Sequence, residues 1–224
     1  MNYMASIQSS NDPDMHMKVQ AELDKNIALL SKFLRGLQAF VDSKGPFLTP
    51  KDDIASSVLH LHLLMTYINL NLQKLPPGCQ VGWEDFVPQV KEIITLSEKI
   101  VSFLSSSSDH TTSFCLDMGY IIPLFDLASR CQEPTLRRQA IALLRSTSRQ
   151  EGLWNSLLVA KAAERIMQIQ EEDLRGMNDY IYGPQRSSIQ PLFEIDGVGG
   201  RLRYARQGLL SDDCDEIVEE IFAW

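Results

Sequence analysis

Lys18–Val41 reads KVQAELDKNIALLSKFLRGLQAFV, and in it Val19, Leu23, Ile27, Leu30, Phe33, Leu34, Leu37 and Phe40 recur at steps of three and four residues. That spacing returns an apolar side chain to one side of a helix on every turn, so the stretch predicts an amphipathic α-helix. Gly45, Pro46 and Pro50 end it. A second helix is expected from about Asp52 to Leu75, with Asp52 or Asp53 capping its free amides. Its seam is Ile54, Val58, Leu61, Met65, Ile68 and Leu72. Leu59, Leu63, Leu64 and Leu70 make its other faces apolar, which predicts a helix surrounded by protein at the centre of the core.

Pro76, Pro77 and Gly78 break the chain, and Trp83 opens a third helix with Phe86, Val90, Ile93, Ile94, Ile100, Val101 and Leu104 as its apolar positions. Ser105–Ser108 with Asp109 reads as a solvated linker. Beyond it, Phe114–Cys131 is helical with breaks at Gly119 and Pro123, a further helix begins near Pro134, and another runs from about Leu153 to Glu172. Between Leu192 and Arg206 the apolar period falls to two, with Asp196, Gly197, Gly199 and Gly200 as turn residues, so a β-hairpin is expected. Asp212–Trp224 docks back as a helical turn or a strand. The fold class is therefore all-α: an antiparallel helical bundle with a small C-terminal β-hairpin, residues 1–17 forming a flexible leader and 18–224 a single helical domain.

With 224 residues, 44% of them hydrophobic, the chain has enough material for one substantial core. A net charge of −8 works against a phosphate backbone, so autonomous DNA binding is not expected. Cys79, Cys115, Cys131 and Cys214 lack the paired spacing of zinc or redox sites, which favours free thiols in a reducing compartment and no metal. The start of the chain has neither the basic nor the apolar region of a signal peptide, and no apolar run nears the ~20 residues that cross a bilayer. The expected location is intracellular, cytoplasmic or nuclear.

Four stretches carry a family resemblance: LRGLQAF at Leu34–Phe40, GYIIPLFDLASRCQEPTLRRQAIALLRSTSRQEGLW at Gly119–Trp154, AAERIMQIQEE at Ala162–Glu172 and the closing VEEIFAW from Val218. In that order they resemble the C-terminal regulatory domain of fungal zinc-cluster (Zn₂Cys₆) transcription factors over roughly residues 28–224. The resemblance implies an all-helical regulatory fold of packed helix pairs ending in a small β element, and fungal secondary metabolism as its setting. The chain departs from the family in two ways. The six-cysteine module that reads DNA is missing before Leu34, as are the early helices that usually precede the LRGL-like segment. A stand-alone shortened homologue is the expectation.

No GxSxG elbow, phosphate-binding glycine loop or HExxH occurs. Chemistry would have to be free of cofactors. His60, Leu64, Tyr67 and Asn71 share one stripe of the second helix, whereas His62 lies about 200° away, so the two histidines are not placed to share a metal. His60 as acid or base, Tyr67 as its orienting hydroxyl and Asp117, whose pKa burial would raise, are the catalytic candidates. His62, Leu64, Asn71, Tyr120 and Trp154 are the ligand-binding candidates. Satisfied core groups are the commoner role for such histidines and aromatics, and a helix cap the commoner role for such an aspartate. Arg130, Arg137, Arg138, Arg145 and Arg149 form a locally basic region, either a receptor for an anion or acidic partner or a solvated face paired with Glu133 and Glu151.

Two functions follow. One is a regulatory module that binds a small apolar metabolite or a partner protein, without touching DNA. The other is a cofactor-independent enzyme recruited from the scaffold, catalysing cyclisation, cycloaddition or isomerisation of an apolar biosynthetic intermediate in a groove left by the missing helices. Apolar surface uncovered by those helices must be covered somehow, so a homodimer is expected.

Overall fold

The structure is a computed structural model, in which residues 13–73, 82–106, 113–115, 119–176, 192–196, 199–206 and 216–223 are described. It divides into two compact units, Met1–Ile100 and Val101–Trp224. The described residues are mostly helical, with two small sheets.

In the first unit, α1 spans Pro13–Lys44 and α2 Pro50–Gln73, joined through a 3₁₀ turn at Gly45–Phe47. Leu23 and Leu30 of α1 are buried, as are Leu61, Leu64, Met65 and Ile68 of α2. Helix α2 begins two residues earlier than its aspartates suggested. Thr49 caps it, its hydroxyl accepting from the Asp52 amide at 3.2 Å, while Asp52 and Asp53 occupy the first turn, where negative charge suits the exposed amides. Nor is α2 covered all round, because Leu59 is half exposed. Trp83 opens a 3₁₀ turn, Trp83–Phe86, before α3 begins at Val87; α3 runs to Ser106, past the Ile100 boundary of this unit. An ion pair from Lys99 to Asp53 at 2.6 Å ties α3 to α2.

In the second unit, α4 (Ile121–Arg130), α5 (Pro134–Arg145) and α6 (Ser156–Gly176) pack on one another. Pro134 is the first residue of α5, where its missing amide costs nothing, and the Glu133 carboxylate caps the turn by accepting from Leu136 at 2.6 Å. Phe114 is not helical but lies in β1 (Ser113–Cys115), which pairs parallel with β2 (Arg149–Glu151). β2 turns through Gly152, at φ +58°, into β3 (Trp154–Asn155). The helix expected from Leu153 therefore starts at Ser156, where the Asn155 side chain accepts from the amides of Leu157 and Leu158 at 3.1 and 3.0 Å.

The C-terminal element is a three-stranded antiparallel sheet. The expected hairpin is present as β4 (Leu192–Asp196) and β5 (Gly199–Arg206), and the closing segment adds β6 (Glu216–Ala223) along β5. Val218, Glu220 and Phe222 alternate with the exposed Ile217, Glu219 and Ile221, so the two-residue period extends into the last strand. Gly197 falls outside the described residues. Gly200 faces the Phe193 ring, and a Cβ there would lie 2.5 Å from its Cζ.

Candidate functional site

Of the polar ladder on α2, His60 and Tyr67 contact neighbouring elements. His60 Nε2 stands 3.4 Å from Glu92 of α3, and the Tyr67 ring meets Phe86 edge-on at 6.3 Å between centroids. The Asn71 amide donates to the carbonyl of Tyr67 at 2.8 Å, one turn back on the same helix. Leu64 is buried in the core. His62 points elsewhere, its Nε2 shielded from solvent and without a protein hydrogen-bond partner. His60 and Tyr67 are two turns apart, ~10 Å along the axis at 1.5 Å per residue, and each engages a different neighbour.

Tyr120 and Trp154 belong to the second unit. Tyr120 is fully buried, and its hydroxyl is hydrogen-bonded to that of Thr147. Trp154 packs on Phe125 at 5.7 Å, Phe125 on Phe193 at 5.4 Å, and Phe193 on Phe222 at 6.3 Å, a run of rings that joins α4 to the C-terminal sheet. Asp117 lies outside the described residues. Burial pushes the Tyr120 phenol above its ordinary pKa; the Thr147 bond opposes this, and the neighbouring Glu151 charge adds to it. The unfolded phenol ionises near pH ~10. The stability tied to the neutral buried phenol is thus complete below that pH and is lost as pH rises through the higher folded value. Tyr120→Phe is expected to remove part of the alkaline fall in stability, as read by denaturant midpoints between about pH 9 and 11.

Glu151, expected only as a partner of the arginines on a solvated face, does pair with Arg149 but is buried. Its side chain is wholly buried and accepts from the amides of Gly119 at 2.9 Å and Ile121 at 3.2 Å and from Arg149 Nε at 2.8 Å. It thus caps the start of α4 from thirty residues away. At the far end of α4 the buried Arg137 donates from Nε to the Ala128 carbonyl at 2.8 Å. Burial holds the Arg137 guanidinium below its usual pKa. A carboxylate at the amide end and a guanidinium at the carbonyl end both complement the helix dipole. A ten-residue helix is marginal alone, and here both poles are clamped.

Among the described residues a groove of about 480 Å³ opens between α5 and α6, lined by Arg138, Ile141, Ala142, Arg145, Ser146, Glu164 and Met167. Its rim is regular: Arg138 pairs with Glu171 at 3.3 Å, and Arg145 with Glu164. Arginines seven apart on α5 face glutamates seven apart on α6, so two turns of each helix present matched opposite charges above the apolar Ile141, Ala142 and Met167. These pairs are largely exposed and are worth ~0–1 kcal/mol each. Of the five arginines in the basic region, the groove uses Arg138 and Arg145, while Arg137 and Arg149 serve the clamp on α4.

Among the described residues no group of three or more His, Cys, Asp or Glu side chains is arranged to hold a metal, and no helix is long and apolar enough to cross a membrane. The chain matches no protein-family model, no curated protein and no solved structure.

Proposed function

We propose that the chain is a binding module, akin to the regulatory domains its sequence resembles, that receives a segment of a partner protein in the α5–α6 groove and acts without direct contact to DNA. The observation that carries this reading is the groove itself: an apolar floor between two rows of opposite charge spaced at two helical turns. A small apolar metabolite would leave the rim charges unused, whereas an amphipathic segment with one apolar face and flanking charges of both signs uses floor and rim together. Exchange of weak surface pairs for equivalent pairs with a partner costs little. Self-association belongs to the same reading, and fungal secondary metabolism is the setting that the resemblance supplies. The enzymatic alternative draws on His60 and Tyr67, which in this structure are engaged by Glu92 and Phe86.

A photo-crosslinking residue placed at Met167 tests the groove. In extracts of the native cell it is expected to give a discrete adduct that weakens at least tenfold in the Arg138→Glu/Arg145→Glu variant and persists in Arg138→Lys/Arg145→Lys, which keeps the charge. If the charge-reversed groove crosslinks as well as the original, or if solvent extraction of the purified chain releases a stoichiometric small molecule, a protein partner at this site is ruled out.

A further inference from the structure

The charges of the α5–α6 groove are segregated by helix. Both arginines, 138 and 145, stand on α5, and both glutamates, 164 and 171, stand on α6. Arg138 pairs with Glu171 at 3.3 Å and Arg145 pairs with Glu164, so the two helices run in opposite directions and the rows are level at both ends. The arginine side chains are 59% and 47% exposed. A guanidinium carries five N–H donors in a planar fork, so one carboxylate leaves donors over for a second. Between the rows lie Ile141, the exposed Ala142 and Met167. An occupant that satisfies floor and rim therefore needs an apolar strip flanked by acids on one side and bases on the other, at the same spacing. The groove face of this chain has that composition itself.

Two copies can be laid face to face about two kinds of two-fold axis, and the charges choose between them. Rotation about an axis parallel to the helices, midway between the copies, sets α5 of one over α6 of the other at an unchanged level. Arg138 then lies over the other copy's Glu171, and Arg145 over its Glu164. At each level two arginines and two glutamates alternate around a closed ring, and no pair within a chain has to break. All neighbouring helices are antiparallel, as in an up-down four-helix bundle, which also opposes their dipoles. The perpendicular axis instead sets α5 over α5, bringing Arg138 onto Arg145 and Glu164 onto Glu171. The exposed Lys161 lies about a turn beyond the Arg145 level, past the end of α5, and so meets neither arginine of the row.

We infer that the partner received at the α5–α6 groove is the same groove of a second copy, in a face-to-face pair whose two-fold axis runs along the helices. This rests on the groove reading above and names its occupant. The 12 residues of α5 give a face about 18 Å long, and two adjacent helices about 20 Å of width, so each copy contributes roughly 400 Å². That is about half of a standard interface. The pair is therefore reversible and depends on concentration.

Sedimentation equilibrium of the full chain tests the pairing. The mass is expected to rise from 25.3 kDa towards twice that value with concentration. Arg138→Glu/Arg145→Glu makes both rows acidic, and Glu164→Arg/Glu171→Arg makes both basic. Each variant alone is expected to stay at monomer mass, whereas an equimolar mixture associates, because every acidic row then lies over a basic one. Rescue by mixing requires contact between copies and cannot arise within one chain. Ala142→Glu keeps all four rim charges and sets a carboxylate on the exposed floor, so association should weaken at least tenfold while helicity by circular dichroism is unchanged. Monomer mass at every concentration overturns the inference, as does a mixture that fails to associate or a dimer that survives Ala142→Glu. If the inference falls in one of these ways while Met167 still crosslinks a different protein in extracts, the groove reading stands with that protein as occupant. If the Met167 adduct is also lost, both fall.

Discussion

Glu151→Ala is expected to destabilise the second unit by about 3–5 kcal/mol, the range for removing one partner from a buried, hydrogen-bonded charge pair. The carboxylate has no solvent exposure of its own and satisfies two main-chain amides and one guanidinium at once. Without it the amides of Gly119 and Ile121 are left unpaired inside the protein, and Arg149, itself mostly buried, loses its Glu151 bond. Amide hydrogen exchange across Ile121–Arg130 should accelerate more than elsewhere, and the denaturant midpoint should fall without a change in slope. Gly119→Ala attacks the same cap from the other side, since a Cβ there would overlap the Glu151 carboxylate, with its Cδ only 2.9 Å away. That carboxylate cannot swing aside without surrendering its bonds, so the two substitutions remove one interaction. Their combined effect should fall short of the sum by at least ~1 kcal/mol. A loss below ~1 kcal/mol for Glu151→Ala, or strict additivity, would show that α4 holds without its cap.

Gly199→Ala is expected to cost about 2–3 kcal/mol, the upper part of the range for forcing extra atoms into a packed site. Its Cβ would land on the carbonyl oxygen of Phe222, with the carbonyl carbon at 3.2 Å, and both are main-chain atoms of the neighbouring strand. No side-chain rotation relieves that overlap. β6 must move away from β5, drawing Phe222 off Phe193 and loosening the grip of Arg165 on Glu220, which now spans 2.8 Å from α6 to the sheet. Gly200→Ala should cost less, because there the obstacle is the Phe193 ring, a side chain able to tilt. The order is the test: thermal midpoints should fall as wild type, Gly200→Ala, Gly199→Ala, with the near-ultraviolet dichroism of the aromatic run reduced most in the last. Equal midpoints for Gly199→Ala and wild type would mean that the strands approach less closely than this geometry requires.

Most of the helices were legible in the residues because a helix announces itself through neighbours three and four apart. Val19–Phe40, Ile54–Leu72 and Leu158–Ile169 each lie inside an observed helix, and Pro134 marked the start of α5. Boundaries were less legible. Asp52 and Asp53 looked like caps but sit in a first turn whose cap is Thr49, because Ser, Thr, Asn and Asp compete for such places on local geometry. Phe114 was read as helical, yet it pairs with Gln150, a partner no local pattern reveals. The Leu192–Arg206 hairpin was legible as a two-residue period, while its third strand was one of two options until β6 was found along β5.

The candidate residues fared according to the same rule. His60, His62, Leu64, Tyr67 and Asn71 share a helix, so their spacing around it could be worked out, but that His60 meets Glu92 and Tyr67 meets Phe86 depends on residues some twenty to thirty positions away. Tyr120 and Trp154 became core anchors because Thr147 and Phe125 stand beside them. Glu151 could be seen in the sequence as one acid among many, and only folding buries it against Gly119 and Ile121. The row Arg138, Arg145 was visible, whereas the facing row Glu164, Glu171 acquires meaning only when α6 lies along α5. By itself, then, the sequence determined the helical character, the places of most helices and the closing β element, all properties of residues a few positions apart. Which charges are buried, which are paired and where a groove opens were decided by tertiary structure alone, because those depend on desolvation and contact between residues tens of positions apart.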